Sequence, residues 1–467
     1  MVCPPRSLNA TRRWWKALLG FSAVTVLVAA FTLSARAAAP AASVQSKAAR
    51  PDQPLIFVVH GRPALFEEYR KLLDEYEKET GIGVDMITVD SSAAKWQKIL
   101  PMVAGGTAPD VVAGVSVEFP QYAQAGLLLS LNDLIAATKT DLSQLIPVLV
   151  KELSWKGEQF IIPYGVSELT MYYNVDMYEE AGLKPPPRHW GDPAWDWERF
   201  LADALKLTRR QGETVKQWGI VGPYWDSWLT LPIQWGSDWV TSDLTRFIGN
   251  EPGPVAALQA LQDLAWRHRV MPADAANMPT EFAGGQAALY GDGTWRIQIL
   301  LESKVNWDFA PFFQVNGFKA AGAINPVGMG VIKGSRYPRA AFDLIRWLTL
   351  EQSPNLRYAA AAGAIPALKT NLGPWVEFMR SAAGNRNLNF GLLLEEVQNH
   401  GWVLQVRKSP AWEDIDRKMR PAVMDVLLNK TSARQAMDQI APEINKLLAG
   451  GLVKAARGAG GAGGAGA

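Results

Sequence analysis

Leu55-Ile56-Phe57-Val58-Val59 is followed by His60-Gly61-Arg62-Pro63, and from Leu65 apolar or aromatic residues stand at 65, 66, 69, 72, 73 and 76 with charges between them. The first run, apolar and rich in β-branched residues, reads as a strand; the second pattern, recurring every three to four residues, reads as one face of a helix. Gly81 supplies a helix stop. Ile82 to Val89 predicts a second strand, Asp90-Ser91-Ser92 a loop with an N-cap, and a second helix runs through Trp96, Ile99 and Leu100 toward Gly105-Gly106. Pro109-Asp110 then leads into Val111-Val112-Ala113, a third strand. Strand–helix–strand–helix–strand within about 60 residues is the pattern of a parallel sheet covered by helices on both faces. Ligands of such sheets sit beyond the carboxyl ends of the strands, which singles out Gly61-Arg62, Asp90-Ser91 and Gly114-Val115-Ser116.

Outward from this segment, 164–300 is richer in Trp, Gly and Pro, with helical stretches near 196–210 and 254–268. Residues 338–358 and about 411–450 read as amphipathic helices. A chain of 467 residues has room for about three folding units or two large lobes. With 48% hydrophobic and 20% charged residues it can bury an ordinary core. The net charge of +2 argues against a partner held through phosphates, nucleic acid above all. Five of the basic groups (Arg6, Arg12, Arg13, Lys16, Arg36) lie in residues 1–37 without an acid, so the remainder carries a net −3.

That N-terminal stretch reads as an export signal: a basic start, a charge-free apolar run from Ala17 to Leu33, and Ala35-Arg36-Ala37 as a small-residue cleavage site. The rival reading is an uncleaved anchor, since the run reaches the lower limit of about 17 residues for a spanning helix. The expected location is the periplasm. Thr11-Arg12-Arg13 loosely resembles a twin-arginine signal, and Cys3 precedes the apolar run, which argues against lipid attachment. Residues 38–51 suit a flexible lead-in, and 456–467, only Gly and Ala from Gly458 onward, suit a disordered tail.

Cys3 is the one cysteine, which excludes a disulfide framework, a thiol nucleophile and a Cys-rich metal site. The four histidines (60, 189, 268, 400) are far apart in sequence. No HExxH, GxSxG, P-loop or complete GxGxxG is present, so no catalytic residue, metal ligand or cofactor is assigned. A carboxylate pair for glycoside hydrolysis is not readable from spacing, and a secreted glycoside-processing enzyme stays open as an alternative.

From Trp155 a recognisable order begins. Gly157-Glu158-Gln159-Phe160-Ile161-Ile162-Pro163-Tyr164-Gly165 precedes Met171-Tyr172-Tyr173-Asn174-Val175-Asp176, then Glu180-Ala181-Gly182-Leu183 and Pro185-Pro186-Pro187. Gly106-Thr107-Ala108-Pro109-Asp110-Val111, Gly126-Leu127 to Leu134, Glu281 to Leu289 running on to Trp295, and Ala362-Gly363-Ala364-Ile365-Pro366 complete the series. Together these resemble the extracytoplasmic solute-binding proteins of bacterial ABC sugar importers, the family that includes maltose-binding protein. The resemblance covers about 55–450. It implies an α/β, two-lobed periplasmic-binding-protein fold (type II-like), with a hinge and an interlobe cleft. Lobe 1 would hold 52–163 with 322–355, and lobe 2 would hold 164–321 with 356–455. It further implies capture of a carbohydrate, with delivery to the transmembrane permease subunits of an ABC transporter by a monomer that does not turn its ligand over. Relatives of this fold also carry polyamines or glycerol phosphates, so a non-sugar solute is a further alternative.

A sugar ring presents apolar C–H faces and a hydroxyl rim, which aromatic planes and paired polar groups recognise respectively. The 19 tryptophans fit that need, although a core role is the commoner fate of any single one. Trp295 with Asp292 follows the apolar Ala287 to Tyr290, where the family commonly has a ligand-facing aromatic. Trp235 lies in a polar, Gly-containing stretch; Tyr164 follows Pro163 at the first interlobe crossing, where it either locks the hinge or touches ligand. Trp412 opens a C-terminal helix with Arg417 beyond it. Among charged groups, Glu118 follows the third strand, Arg62 lies in the loop of the first, and Asp110 either braces its loop or touches ligand, bracing being favoured. Glu168 and Asp226 are further acids of the same kind.

Overall fold

A computed structural model describes residues 51–115, 119–222, 227–273, 278–318, 322–384 and 386–460. Residues 1–37, expected as a signal segment, most of the expected lead-in, Glu118 and Asp226 lie outside them. The strands are β1 (Leu55–His60), β2 (Val84–Val89), β3 (Val111–Val115), a short hairpin of β4 (Ser154–Trp155) and β5 (Glu158–Gln159), and β6 (Ile161–Asn174). They continue with β7 (Arg209–Gln211), β8 (Thr214–Val221), β9 (Ala287–Gly293), β10 (Trp307–Ala310), β11 (Ile324–Val331) and β12 (Ile365–Pro366).

The opening segment folds as its periodicity predicts. Helix α1 (Pro63–Thr80) has proline in its first turn and ends at Gly81, and α2 (Ser92–Ala104) is capped by the Ser91 hydroxyl, which accepts from the Ala94 N–H. β1 pairs in parallel with β2 (Leu55 opposite Val84) and with β3 (Phe57 opposite Val111). Tyr69, Leu72, Leu73 and Tyr76 of α1 enter one core, whereas Trp96 and Ile99 of α2 enter a second core on the other face.

Beyond this unit the sheet is built by long-range pairing. β11 returns antiparallel beside β3, and β6 lies antiparallel on the other side of β11, giving the order β2-β1-β3-β11-β6-β9-β8-β7. All 14 residues of β6 are buried, and the strand changes partners along its length. Ile161 to Glu168 pair with β11, while Leu169 to Tyr173 pair with β9 and Met171 to Asn174 with β10. β8 runs parallel to β9. One strand thus belongs to two half-sheets, the arrangement that a two-lobed α/β fold requires.

The helices read from periodicity appear as Trp197–Leu207, Pro252–Trp266, Pro338–Leu350, Gln352–Ala361, Trp412–Leu427 and Ala433–Gly460. Helix Gln352–Ala361 runs across the expected lobe limit at 355–356 and packs on α1, with Tyr358 stacked flat on Tyr69 at 3.8 Å. The last helix continues to Gly460, into the stretch expected as a tail; 461–467 lie outside the described residues. No described helix is long and apolar enough to cross a membrane.

Candidate ligand cleft

A cleft of about 850 Å³ opens over the carboxyl end of β1. On one side α2 supplies Ser92, Trp96 and Gln97, and helix α3 (Phe119–Gln124) supplies Tyr122. Opposite stand Trp295, which follows β9, and the helix Trp412–Leu427 with Trp412, Glu413, Asp416, Arg417 and Arg420. Ser167 of β6, Asn325 of β11 and Arg407 of the short 3-10 helix Gln405–Lys408 complete the lining. A recess of about 200 Å³ shares His60, Ser167 and Trp295 with it and is bounded further in by Tyr69, Gly114 and Tyr164.

Each aromatic is held by its surroundings. Trp96 stacks on Tyr122 with ring centroids 3.4 Å apart and planes 17° from parallel. The Arg407 guanidinium lies 5.7 Å from the Trp412 ring, and it also donates to the Asn325 side chain. The Trp295 indole folds back over Gly293, where an added Cβ would lie 2.2 Å from the ring. Behind it Gly363, at φ +68°, brings its backbone so close that a Cβ would stand 2.7 Å from the Trp295 Cα.

Contacts between described residues join the sides. The Tyr122 hydroxyl donates to Glu413 at 3.4 Å, and the Lys408 ammonium meets Glu152 at 2.9 Å. Asp416 accepts from Arg420 at 2.7 Å, and Arg417 pairs with Asp414 at 2.9 Å. At the floor the buried Lys95 ammonium donates to the Ala113 carbonyl at 2.6 Å and lies 3.4 Å from His60 Nδ1. Among the described residues no three His, Cys, Asp or Glu side chains are grouped to hold a metal ion.

Of the residues singled out in the sequence, Trp295, Trp412 and Arg417 line the cleft, and Tyr164 lines the inner recess. Tyr164 also meets Tyr358 edge-on at 4.8 Å, and its carbonyl accepts from Asn355 at 2.8 Å, a packed position at the strand crossing. Asp292 is buried under the Trp295 turn and is not among the lining groups. Its carboxylate accepts from Arg296 at 2.8 Å, from the Gly293 N–H at 2.7 Å and from the Tyr290 hydroxyl. Burial raises its pKa, against the opposing pull of Arg296.

Asp110 is likewise a brace: one oxygen accepts from the Ile56 N–H at 2.8 Å and the other from the Ser335 hydroxyl, tying β1 to the residues after β11. Arg62 is exposed at the start of α1, outside the lining. Trp235 packs edge-on against Trp197 at 5.7 Å, in a separate apolar cluster with Phe313. Trp195 is buried, its indole N–H donating to the Pro311 carbonyl. Sequence reasoning did not single out Trp96, Tyr122 or Arg407. Trp96 was read only as a helix-core residue, and its place opposite Trp412 is set by long-range packing.

A family model described as bacterial extracellular solute-binding protein matches residues 71–377. The "Probable ABC transporter-binding protein" of Deinococcus radiodurans is 24% identical over 321 residues, which cover 65% of this chain and 74% of that one. The maltotriose-binding protein of Pyrococcus abyssi is 20% identical over 57% of this chain and 56% of its own length. Among solved structures, an ABC substrate-binding protein from Listeria monocytogenes in complex with cycloalternan superposes with a TM-score of 0.74. It covers 85% of this chain and 100% of that one at 23% identity, a likeness of fold. With two half-sheets sharing one strand, a cleft lined from both sides and a family match over residues 71–377, this chain belongs to the bacterial extracellular solute-binding proteins.

Proposed function

We propose that the chain captures a carbohydrate, an oligosaccharide, in the aromatic-lined cleft and delivers it unaltered to the permease subunits of an ABC transporter. The observation that carries this reading is the cleft lining: Trp96, Trp295 and Trp412 with a rim of Arg, Asp, Glu, Asn and Gln. Indole planes bury the C–H faces of sugar rings, and charged or amide groups bind hydroxyls in pairs. The names of the maltotriose-binding and cycloalternan-bound relatives support the same ligand class. Trp295, Trp412 and Arg417 are the contacts we assign from one side, and Tyr164 closes the inner end. Asp292 and Asp110 act behind them as braces.

Family membership implies an extracytoplasmic location, and the basic start, apolar run and small-residue site of residues 1–37 support reading them as the export signal. The partner change along β6 supports dividing the lobes at Glu168–Leu169, with helix Gln352–Ala361 on the first lobe's side. The cleft carboxylates Glu413 and Asp416 are engaged by Tyr122 and Arg420, an arrangement that supports binding over hydrolysis.

A thermal-shift screen against linear and cyclic oligosaccharides tests the proposal. One or a few sugars should raise the melting temperature and be recovered intact by mass spectrometry. Shifts with polyamines or phosphate esters alone, or release of reducing sugar, would contradict it.

A further inference from the structure

Glu168 stands where β6 changes partners: it is the last residue paired with β11, opposite Ile324, and Leu169 is the first paired with β9, opposite Gly293. Glu396 opens a π-helical turn, Glu396–His400, that follows helix Phe390–Glu395. The chain between β10 and β11 ties these segments together. The Leu169 N–H donates to Ala323, the Trp402 N–H donates to Gly322, and the Ile324 N–H donates to Trp402, each at 2.9 Å. Glu396 is pressed against this junction: a Cβ on Gly322 would lie 1.1 Å from its Oε1 and 2.9 Å from the Leu169 carbonyl oxygen.

Both glutamates are fully buried, and none of their four carboxyl oxygens has a hydrogen-bond partner among the described residues. Two anions cannot be held so without donors or a cation, because burial penalises the charged form and like charges add to the penalty. Burial raises both carboxyls well above the ordinary glutamate value of 4.5, and the charge of Glu396 raises Glu168 further. Tyr172 on β6 feels the charge of both glutamates, and Asp292 of β9 with Arg296 just after it act on the same tyrosine. Arg296 is engaged by Asp292. Glu395 and His400, on the same stretch as Glu396, face each other at 3.9 Å, and His189 approaches Glu395 at 3.5 Å.

We propose that Glu168 and Glu396 each hold a proton at neutral pH, and that their ionisation in alkaline solution loosens the junction joining the two half-sheets. This holds whatever the cleft binds. Glutamates whose folded value lies above the unfolded one stabilise fully below about 4.5, and that contribution is lost as pH rises toward the folded value. The melting temperature of the native chain should therefore fall between pH 5 and pH 9. In Glu168→Gln and Glu396→Gln, whose amides are neutral throughout, the fall should be shallower. Each variant should melt about 3 °C above the native chain at pH 8 and close to it at pH 5.

Infrared difference spectra of the native chain against the double Gln variant at pH 7 should show the carbonyl band of a protonated carboxyl. Either single Gln variant serves as the reference if the double variant does not fold, so failure of one variant to fold leaves the test intact. Gln variants that melt below the native chain equally at both pH values, or spectra without the band, would overturn the proposal. Stabilisation of the native chain by added calcium at pH 8, lost in Glu168→Gln, would overturn it in favour of a bound cation.

Discussion

Trp295 reaches the cleft because of what lies beneath it. Its turn is held by Asp292, whose carboxylate gathers Arg296, Tyr290 and the Gly293 N–H, while the Tyr172 hydroxyl donates to the Gly293 carbonyl at 2.8 Å. Replacing Asp292 by Ala leaves a mostly buried guanidinium without this carboxylate, and breaking such a pair costs about 3 kcal/mol. Urea unfolding should register that loss; a change below about 1 kcal/mol would show that the turn is held by other contacts. Residue types alone separated aromatics from acids here, but not binders from braces. An acid at the end of a strand gives the same local signal whether it points at a ligand or, like Asp110 and Asp292, back at the main chain. Trp235 illustrates the converse: a polar, glycine-containing neighbourhood reads as a cleft loop, yet Trp197 and Phe313 draw its ring into an apolar cluster.

Elements were legible where their signals are local. The strand–helix alternation of 55–113 follows from apolar periodicity and its stop signals, and in the structure the helix Trp197–Leu207 is capped by Asp196, whose side chain accepts from the Arg199 N–H. Asp196→Ala should cost about 1 kcal/mol, the usual worth of an N-cap. The denaturation midpoint should drop without a change in slope, and an unchanged midpoint would contradict the assignment. The antiparallel insertion of β11 between β3 and β6 left no such trace, because pairing across more than 150 residues is written in no local pattern. The pairing of β6 with β11 as far as Glu168 is long-range in the same way.

On the scale of the whole molecule, two half-sheets share β6, and the cleft takes its aromatic lining from both sides of that junction. Lobe closure is favoured only by a ligand that makes better contacts in the closed form than in the open one. Trp96 with Tyr122 on one side and Trp295 with Trp412 on the other are placed for such bridging, and the Tyr122–Glu413 and Lys408–Glu152 links span the same gap. The proposed capture role requires stoichiometric binding and release of the guest unchanged.

Isothermal titration calorimetry tests this most directly, with the sugar that gives the largest thermal shift titrated into the native chain and into Trp295→Ala and Trp412→Ala. The account predicts one site per chain, no heat of continuing turnover after saturation, and a loss of about 1–3 kcal/mol of binding free energy in each variant. Unchanged dissociation constants in both variants would mean that the ligand does not lie against these indoles, and the cleft assignment would be wrong.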